Sequence, residues 1–147
     1  MAKQSDLELI SEVRTTVTRL VKKLRRHSAT GITLSLTERS VMGLLNRSGE
    51  MLPNELAAAE KITTQSMSQI LNHLSALGYI NRRASKEDKR KSFISLSAKG
   101  AAMVKRVGEE KDNWLYQALM HTCTAAEIQV LKKALVPLKK IVDFEDD

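Results

Sequence analysis

Apolar residues at Leu7, Ile10, Val13, Val17, Leu20, Val21 and Leu24 recur in steps of mostly three and four, the spacing that aligns one face of an α-helix. Ser5-Asp6-Leu7-Glu8 reads as a capping box at its start and Gly31 as its stop. The seam is narrow and long, which fits packing against partner helices, including those of another chain. A second, shorter helix is predicted behind Thr37, carrying Val41, Met42, Leu44 and Leu45 and ending near Ser48-Gly49. Pro53 suits the first turn of a third, brief helix through Leu56 and Ala57 to about Glu60, because a first-turn residue needs no amide donor. Thr63 or Thr64 can cap a fourth helix that runs to Leu77 and stops at Gly78.

The fourth helix is divided by side-chain type. Met67, Ile70, Leu71, Leu74 and Leu77 fall on one side, and Gln65, Ser66, Ser68, Gln69, Asn72, His73 and Ser75 on the other with the small Ala76. A solvated face more often carries Lys and Glu, whereas these short amides, hydroxyls and one imidazole can read base edges. Gln65, Gln69 and Asn72 each carry the donor and acceptor that match an adenine edge, so A·T pairs are expected in the DNA they would read.

Tyr79–Arg83 and Ser92–Leu96 read as two strands, the second alternating Ser with Ile and Leu, joined by a charged connection from Ala84 to Lys91. Between Arg82 and Lys91 stand six basic residues (Arg82, Arg83, Lys86, Lys89, Arg90, Lys91) and two acidic ones (Glu87, Asp88), which predicts a hairpin with a cationic tip. Ser97 caps a fifth helix with Met103, Val104, Val107, Trp114, Leu115 and Leu119 as burial candidates; its polar stretch from Gly108 to Asp112 marks a change of direction or burial. Thr124-Ala125-Ala126-Glu127 is a second capping box and opens a sixth helix through Ile128, Leu131, Leu135, Leu138 and Val142. Pro137 inside it predicts a kink or a lost hydrogen bond, and the acidic tail from Asp143 is expected to fray. The order is therefore α-α-α-α-β-β-α-α, mainly α with a small two-stranded β wing. Its third helix, Lys61-Ile62-Thr63 turn and fourth helix form a helix-turn-helix.

Composition narrows the function. With 42% hydrophobic and 28% charged residues, 147 residues can bury a core, which argues against disorder. No apolar run approaches the ~20 residues of a membrane-spanning helix, and the start shows no signal-peptide stretch, so the protein is expected in the cytoplasm. The single Cys123 excludes an intrachain disulfide, and His121-Thr122-Cys123 offers two soft ligands with nothing nearby to complete four, so no metal is expected. Cys123 also lacks a basic neighbour in sequence and reads as a structural thiol. Neither His73 nor His121 sits in a nucleophile elbow, a paired-carboxylate motif or a metal-binding HExxH-type motif, and no phosphate-cradling Gly loop is present, so an enzyme is not expected. The formal charge is +7, with +4 in residues 1–29, +4 in 30–100 and −1 in 101–147, which fits a polyanionic partner. The first helix's basic run Arg19, Lys22, Lys23, Arg25 and Arg26 flanks its seam as solvated charge; a membrane-surface role is weaker because dimerisation would consume that seam.

From Leu36 to Gly100 the chain resembles the MarR regulators, bacterial winged helix-turn-helix transcription factors. Asp88-Lys89-Arg90 followed by Ile94, Leu96, Ser97 and Gly100 is similar to the family's wing signature, Asp-x-Arg with a downstream hydrophobic-x-Leu-Thr-x-x-Gly, and it follows Leu77-Gly78-Tyr79-Ile80-x-Arg82. Ser97 replaces the usual Thr, and either hydroxyl can cap a helix. Gln69 stands beside Ser68 where many members carry Arg, so base preferences do not transfer.

The resemblance implies a homodimer. Residues 1–30 and 101–147 would supply dimerisation helices, with Leu7, Ile10, Val13, Val17, Ile128, Leu131, Leu135 and Leu138 at the interface and Trp114 in the core or the interface. Residues 31–100 would form the DNA-binding domain, binding a pseudo-palindromic operator in double-stranded DNA. The fourth helix would present Thr64, Gln65, Ser66, Ser68, Gln69, Asn72 and His73 to the major groove, and the wing Arg82, Arg83, Lys86, Asp88, Lys89, Arg90 and Lys91. Arg90 would enter the minor groove, oriented by Asp88 through a charge-assisted pair. The resemblance further implies a cytoplasmic, nucleoid-associated protein of a bacterium or archaeon, without a cofactor. It would act as a repressor released by a small aromatic or anionic effector whose identity and pocket no motif reveals. The competing reading is a nucleoid-type architectural protein that binds DNA with little sequence preference.

Overall fold

In this computed structural model residues 1, 3–28 and 33–145 are described, and their contacts group into two units, Met1–Lys111 and Asp112–Asp147. The order is α1 Gln4–Arg26, α2 Leu36–Ser48, β1 Glu50–Met51, α3 Pro53–Glu60, α4 Thr64–Ala76, β2 Ile80–Ala84, β3 Ser92–Leu96, α5 Ala98–Thr122 and α6 Ala125–Val142, with α5 running through the unit boundary.

The first unit's core draws Val41, Met42 and Leu45 from α2, Leu56 and Ala57 from α3, Met67, Leu71 and Leu74 from α4, Ile80 and Ile94 from the sheet, and Met103 from α5. Each fully buried Leu or Met contributes about 1.5–3 kcal/mol relative to exposure, so the apolar side of α4 fixes which of its faces points outward. By contrast α1 and α6 bury no residue in the single chain, and their apolar seams are exposed.

The sheet has three strands rather than two, all antiparallel, in the order β1-β3-β2. Two residues cannot display an alternation, so β1 carries no periodic signal; it pairs Glu50 with Ser95 and Met51 with Ile94. β2 begins at Ile80, one residue later than expected, and Tyr79 just ahead of it accepts from the Ser97 amide at 3.0 Å, in line with the β2–β3 register.

Helix starts differ in detail from the sequence reading. α1 begins at Gln4, and Asp6 rather than Ser5 accepts from an orphan amide, that of Lys3 at 3.3 Å. Ser35, not Thr37, caps α2: its hydroxyl accepts from the Glu38 amide at 3.1 Å while Glu38 accepts from the Ser35 amide at 3.0 Å. α1 ends at Arg26, and Gly31, expected as its stop, lies outside the described residues. α5 stays helical through Gly108–Asp112, and α6 continues through Pro137 to Val142. At the α3–α4 turn Lys61 takes a left-handed φ of 53°, a conformation that costs a non-glycine residue about 1–2 kcal/mol. Among the described residues no helix is long and apolar enough to cross a membrane, and no three His, Cys, Asp or Glu side chains gather as metal ligands.

Candidate nucleic-acid interface

Thr63 sets the start of α4, its hydroxyl oxygen accepting from the Ser66 amide at 3.1 Å. With Met67, Leu71 and Leu74 inside, Thr64, Gln65, Ser66, Ser68, Gln69, Asn72 and His73 all stand exposed on one continuous side. Two of them are held by other elements. His73 Nδ1 lies 2.5 Å from Glu38 Oε2, and because a carboxylate only accepts, Nδ1 carries the hydrogen. Asn72 Oδ1 accepts from Arg82 Nη2 at 3.0 Å, tying α4 to β2.

Glu38 was not anticipated as part of this surface. Its side chain, 11% exposed, uses one oxygen to cap α2 and the other to hold His73. Burial pushes its carboxyl up, but the Ser35 amide, the His73 ring and the Ser35 hydroxyl together hold it below its ordinary value. The spacing Ser35-x-x-Glu38 is a capping-box signature legible in the sequence, whereas the link to His73 joins residues 35 apart. Glu38, Ser66, Gln69, Ile70 and His73 line an open hollow of about 340 Å³ on this side.

The wing loop is built by short polar side chains. Ser85, buried, donates its amide to Lys91 O at 2.8 Å and accepts from the Glu87 and Asp88 amides, both at 3.3 Å. Asp88 Oδ1 then accepts from the Arg90 amide at 3.1 Å and from Arg90 Nε at 3.2 Å. These two bonds hold the Asp88 carboxyl below its ordinary value. Arg90 is 91% exposed and Asp88 34%, so the guanidinium projects while its carboxylate partner stays close to the loop. Lys86, Lys89 and Lys91 are exposed around it.

Arg83 differs from its basic neighbours. It makes two bonds to Glu50, Nε to Oε1 at 3.1 Å and Nη2 to Oε2 at 2.9 Å, and stacks over Phe93 at 4.8 Å. The pairing raises the Arg83 guanidinium and lowers the Glu50 carboxyl from their ordinary values. Sequence reasoning counted Arg83 with the free wing cations, because the two-residue β1 that brings Glu50 beside it carries no pattern.

The first unit also contains a cavity of about 220 Å³ between α2 and α5, walled by Leu34, Met42, Met103 and Val107, with Arg39 and Lys111 on its lining. Burial lowers both cations, and Arg25 lowers them further, with Arg39 adding to the repulsion on Lys111.

Residues 30–91 match the MarR family. Over 139 residues the chain is 30% identical to an uncharacterized HTH-type transcriptional regulator of Mycobacterium bovis, covering 95% of this chain and 96% of that one. A crystal structure of a protein from Pseudomonas aeruginosa superposes with a TM-score of 0.87 at 27% identity, over 98% of this chain and 100% of the other. A MarR family protein from Bacillus stearothermophilus shares the fold with a TM-score of 0.81 at 17% identity, over 98% and 99% of the two chains. With the helix-turn-helix, the Asp88-Lys89-Arg90 wing and these relatives together, the chain belongs to the MarR family of DNA-binding transcriptional regulators, which are not enzymes.

Proposed function

We propose that the protein acts as a homodimeric, sequence-specific repressor that binds a pseudo-palindromic operator. The observation that carries this reading is the pairing of an uncharged polar α4 face with a wing whose projecting Arg90 is held by Asp88. A helix in the major groove reads donors and acceptors, and a guanidinium suits the electronegative narrow minor groove beside it. The carboxylate next to Arg90 supports an oriented contact, since a purely electrostatic tip gains nothing from a negative charge. Among the basic residues, Lys86, Lys89 and Lys91 are assigned to phosphates, which supply affinity without sequence information.

Dimerisation is supported by the exposure of Leu7, Ile10, Val13 and Val17 on α1 and of Leu131, Leu135 and Leu138 on α6, with Ile128 half-buried, because a chain leaving such seams in water has a large apolar surface to cover. Release by an effector is supported by the cavity between α2 and α5. An organic anion with an apolar body of modest size fits its walls and would relieve the crowding of Arg25, Arg39 and Lys111. The site of action is the chromosomal DNA of the cytoplasm.

Selection of bound duplexes from random DNA at two salt concentrations tests the reading. The expected result is a two-fold motif with half-site centres about one helical turn, roughly 10 bp, apart, retained at the higher salt. A specificity ratio near one, with affinity that simply falls with salt, would replace it by the architectural reading.

A further inference from the structure

We propose that Arg82 sets the base preference of α4 by engaging the Asn72 amide oxygen and adding its own donors beside the amide, so that the pair reads guanine where a free Asn72 would read adenine. The inference rests on the reading above that α4 lies in the major groove, and it adds which base one position of the half-site prefers.

A free carboxamide matches adenine because its oxygen accepts from N6 while its nitrogen donates to N7. In this structure the oxygen of Asn72 is already engaged by Arg82 Nη2 at 3.0 Å. Arg82 takes one of the two lone pairs of Oδ1 and sets its positive charge beside the other, while the Nδ2 amino group, which no described residue engages, stays free to donate next to a guanidinium with further N–H donors. The positive guanidinium next to Oδ1 also opposes the approach of the electropositive N6 amino group of adenine. Guanine presents two acceptors in the major groove, O6 and N7, and so matches a donor-only pair. The pair therefore acts as one composite group, with the amide supplied by the recognition helix and the guanidinium by the wing strand.

Gln69, three residues earlier on α4, provides the internal contrast. Among the described residues no side chain hydrogen-bonds its amide, so it keeps both the donor and the acceptor of an adenine reader. The same chemical group on the same helix is thus given two different preferences by what stands behind it. No sequence rule assigns this, because the partner lies ten residues away across the α4–β2 corner.

The bond also explains why Arg82 sits where it does. It stands on β2 opposite Ile94 of β3, in the paired part of the hairpin and not in the loop at its charged tip. A residue fixed in a sheet register can hold an amide in one orientation, whereas one on a loop would pay more entropy to do so.

The test is selection of bound duplexes with the wild type and with Arg82→Ala, Arg82→Lys, Asn72→Ala and Asn72→Asp, each first checked for the wild-type helical signal. Asn72→Ala identifies the symmetric pair of positions that Asn72 reads, because preference there flattens. At those positions the wild type should prefer guanine by about tenfold, Arg82→Ala should shift the preference to adenine, and Arg82→Lys, which keeps a donor, should retain guanine. Asn72→Asp keeps the acceptor for Arg82 but loses the outward donors, so its guanine preference should disappear. Side-chain amide resonances give a second readout without DNA: the Asn72 NH2 pair should shift in Arg82→Ala and not in Lys89→Ala. A wild-type preference for adenine at the Asn72 positions overturns the inference alone, as does Arg82→Ala weakening all sequences alike with every base preference unchanged. A selection that returns no motif at all overturns the sequence-specific reading and this inference with it.

Discussion

Gly100→Ala should destabilise the protein although it places a better helix former inside a helix. Gly100 lies in the first turn of α5, and a Cβ built there meets the Tyr79 carbonyl oxygen at 2.1 Å, its carbon at 3.0 Å and the Tyr79 Cα at 3.2 Å. These are backbone atoms and cannot rotate away, so the helix start must retreat by roughly 1 Å, an overpacking that costs about 1–3 kcal/mol. Retreat also strains the bonds that fix this corner: Ser97 Oγ to Gly78 O at 2.6 Å, Ser97 N to Tyr79 O at 3.0 Å and Lys99 Nζ to Leu77 O at 2.8 Å. Losing one such bond adds about 1 kcal/mol, and the helix propensity of Ala over Gly returns about 1 kcal/mol. The net is a loss of about 1–3 kcal/mol, which at about 2–4 °C per kcal/mol lowers Tm by roughly 2–12 °C. Gly108→Ala on the same helix is the control, since a Cβ there meets nothing within 4 Å and should leave Tm unchanged or raise it. Thermal unfolding followed by circular dichroism at matched protomer concentration reads both. A higher Tm for Gly100→Ala would mean that propensity outweighs the close approach and that the Gly100–Tyr79 contact does not govern this corner.

Arg90→Ala should weaken operator binding by about 1–3 kcal/mol, and Asp88→Ala should weaken it too despite raising the net positive charge; tighter binding by Asp88→Ala in a mobility-shift titration would reduce Asp88 to a repulsive surface charge. Leu131→Glu combined with Leu135→Glu should monomerise or unfold the protein, because both side chains, 47% and 50% exposed in the single chain, are assigned to the partner; a wild type that sediments as a stable folded monomer at micromolar concentration refutes the assignment. Glu38 is held below its ordinary value in the folded chain, so its stabilisation is fully present above the carboxylate range and is lost as pH falls through it. Glu38→Gln should therefore flatten the acid limb of the stability profile by removing one such contribution, and an unchanged acid limb would show that the Ser35 and His73 bonds do not stabilise the ionised form.

The helices and the hairpin were legible because burial imposes a period. Met67, Leu71 and Leu74 had to face the core, which left Gln65, Ser68, Gln69 and Asn72 outside. The wing motif was legible because its chemistry is local: Asp88 and Arg90 are two residues apart, and the bonds between them need no other element. What the sequence hid is every polar tie between elements. Glu38 to His73, Arg82 to Asn72 and Glu50 to Arg83 join residues 35, 10 and 33 apart. Such pairs leave no periodic trace, since a polar residue at an exposed position is equally compatible with solvent. The third strand was hidden for a related reason, as two residues are too few to alternate.

Lys111→Met should make the protein more stable and less responsive to an organic anion, and the opposition of the two effects follows from one site. The ammonium of Lys111 is lowered from its ordinary value by burial first, then by Arg39 and Arg25. A lysine whose pKa is depressed by folding binds its proton more readily in the unfolded chain, so at neutral pH its charge works against the folded state, and the penalty fades only as pH rises towards the lysine range. Methionine fills a similar volume beside Met103 and Val107 without that charge, which should raise Tm. The same cation is what an anionic occupant would pair with, so the variant gives up the ligand's differential affinity. Benzoate at millimolar concentration serves as the probe, expected to raise the Tm of the wild type and to leave that of Lys111→Met nearly unchanged. The cavity lies between α2, which carries Glu38, and α5, whose start holds the α4–β2 corner through Ser97 just ahead of the helix and Lys99 in its first turn. An occupant that alters the spacing of these two helices acts on both supports of α4, whereas one that leaves it unchanged has no lever on DNA affinity. Equal benzoate stabilisation of wild type and Lys111→Met would remove the cationic lining from the account of effector binding, and a lower Tm for the variant without benzoate would show that its charge is compensated in the folded chain.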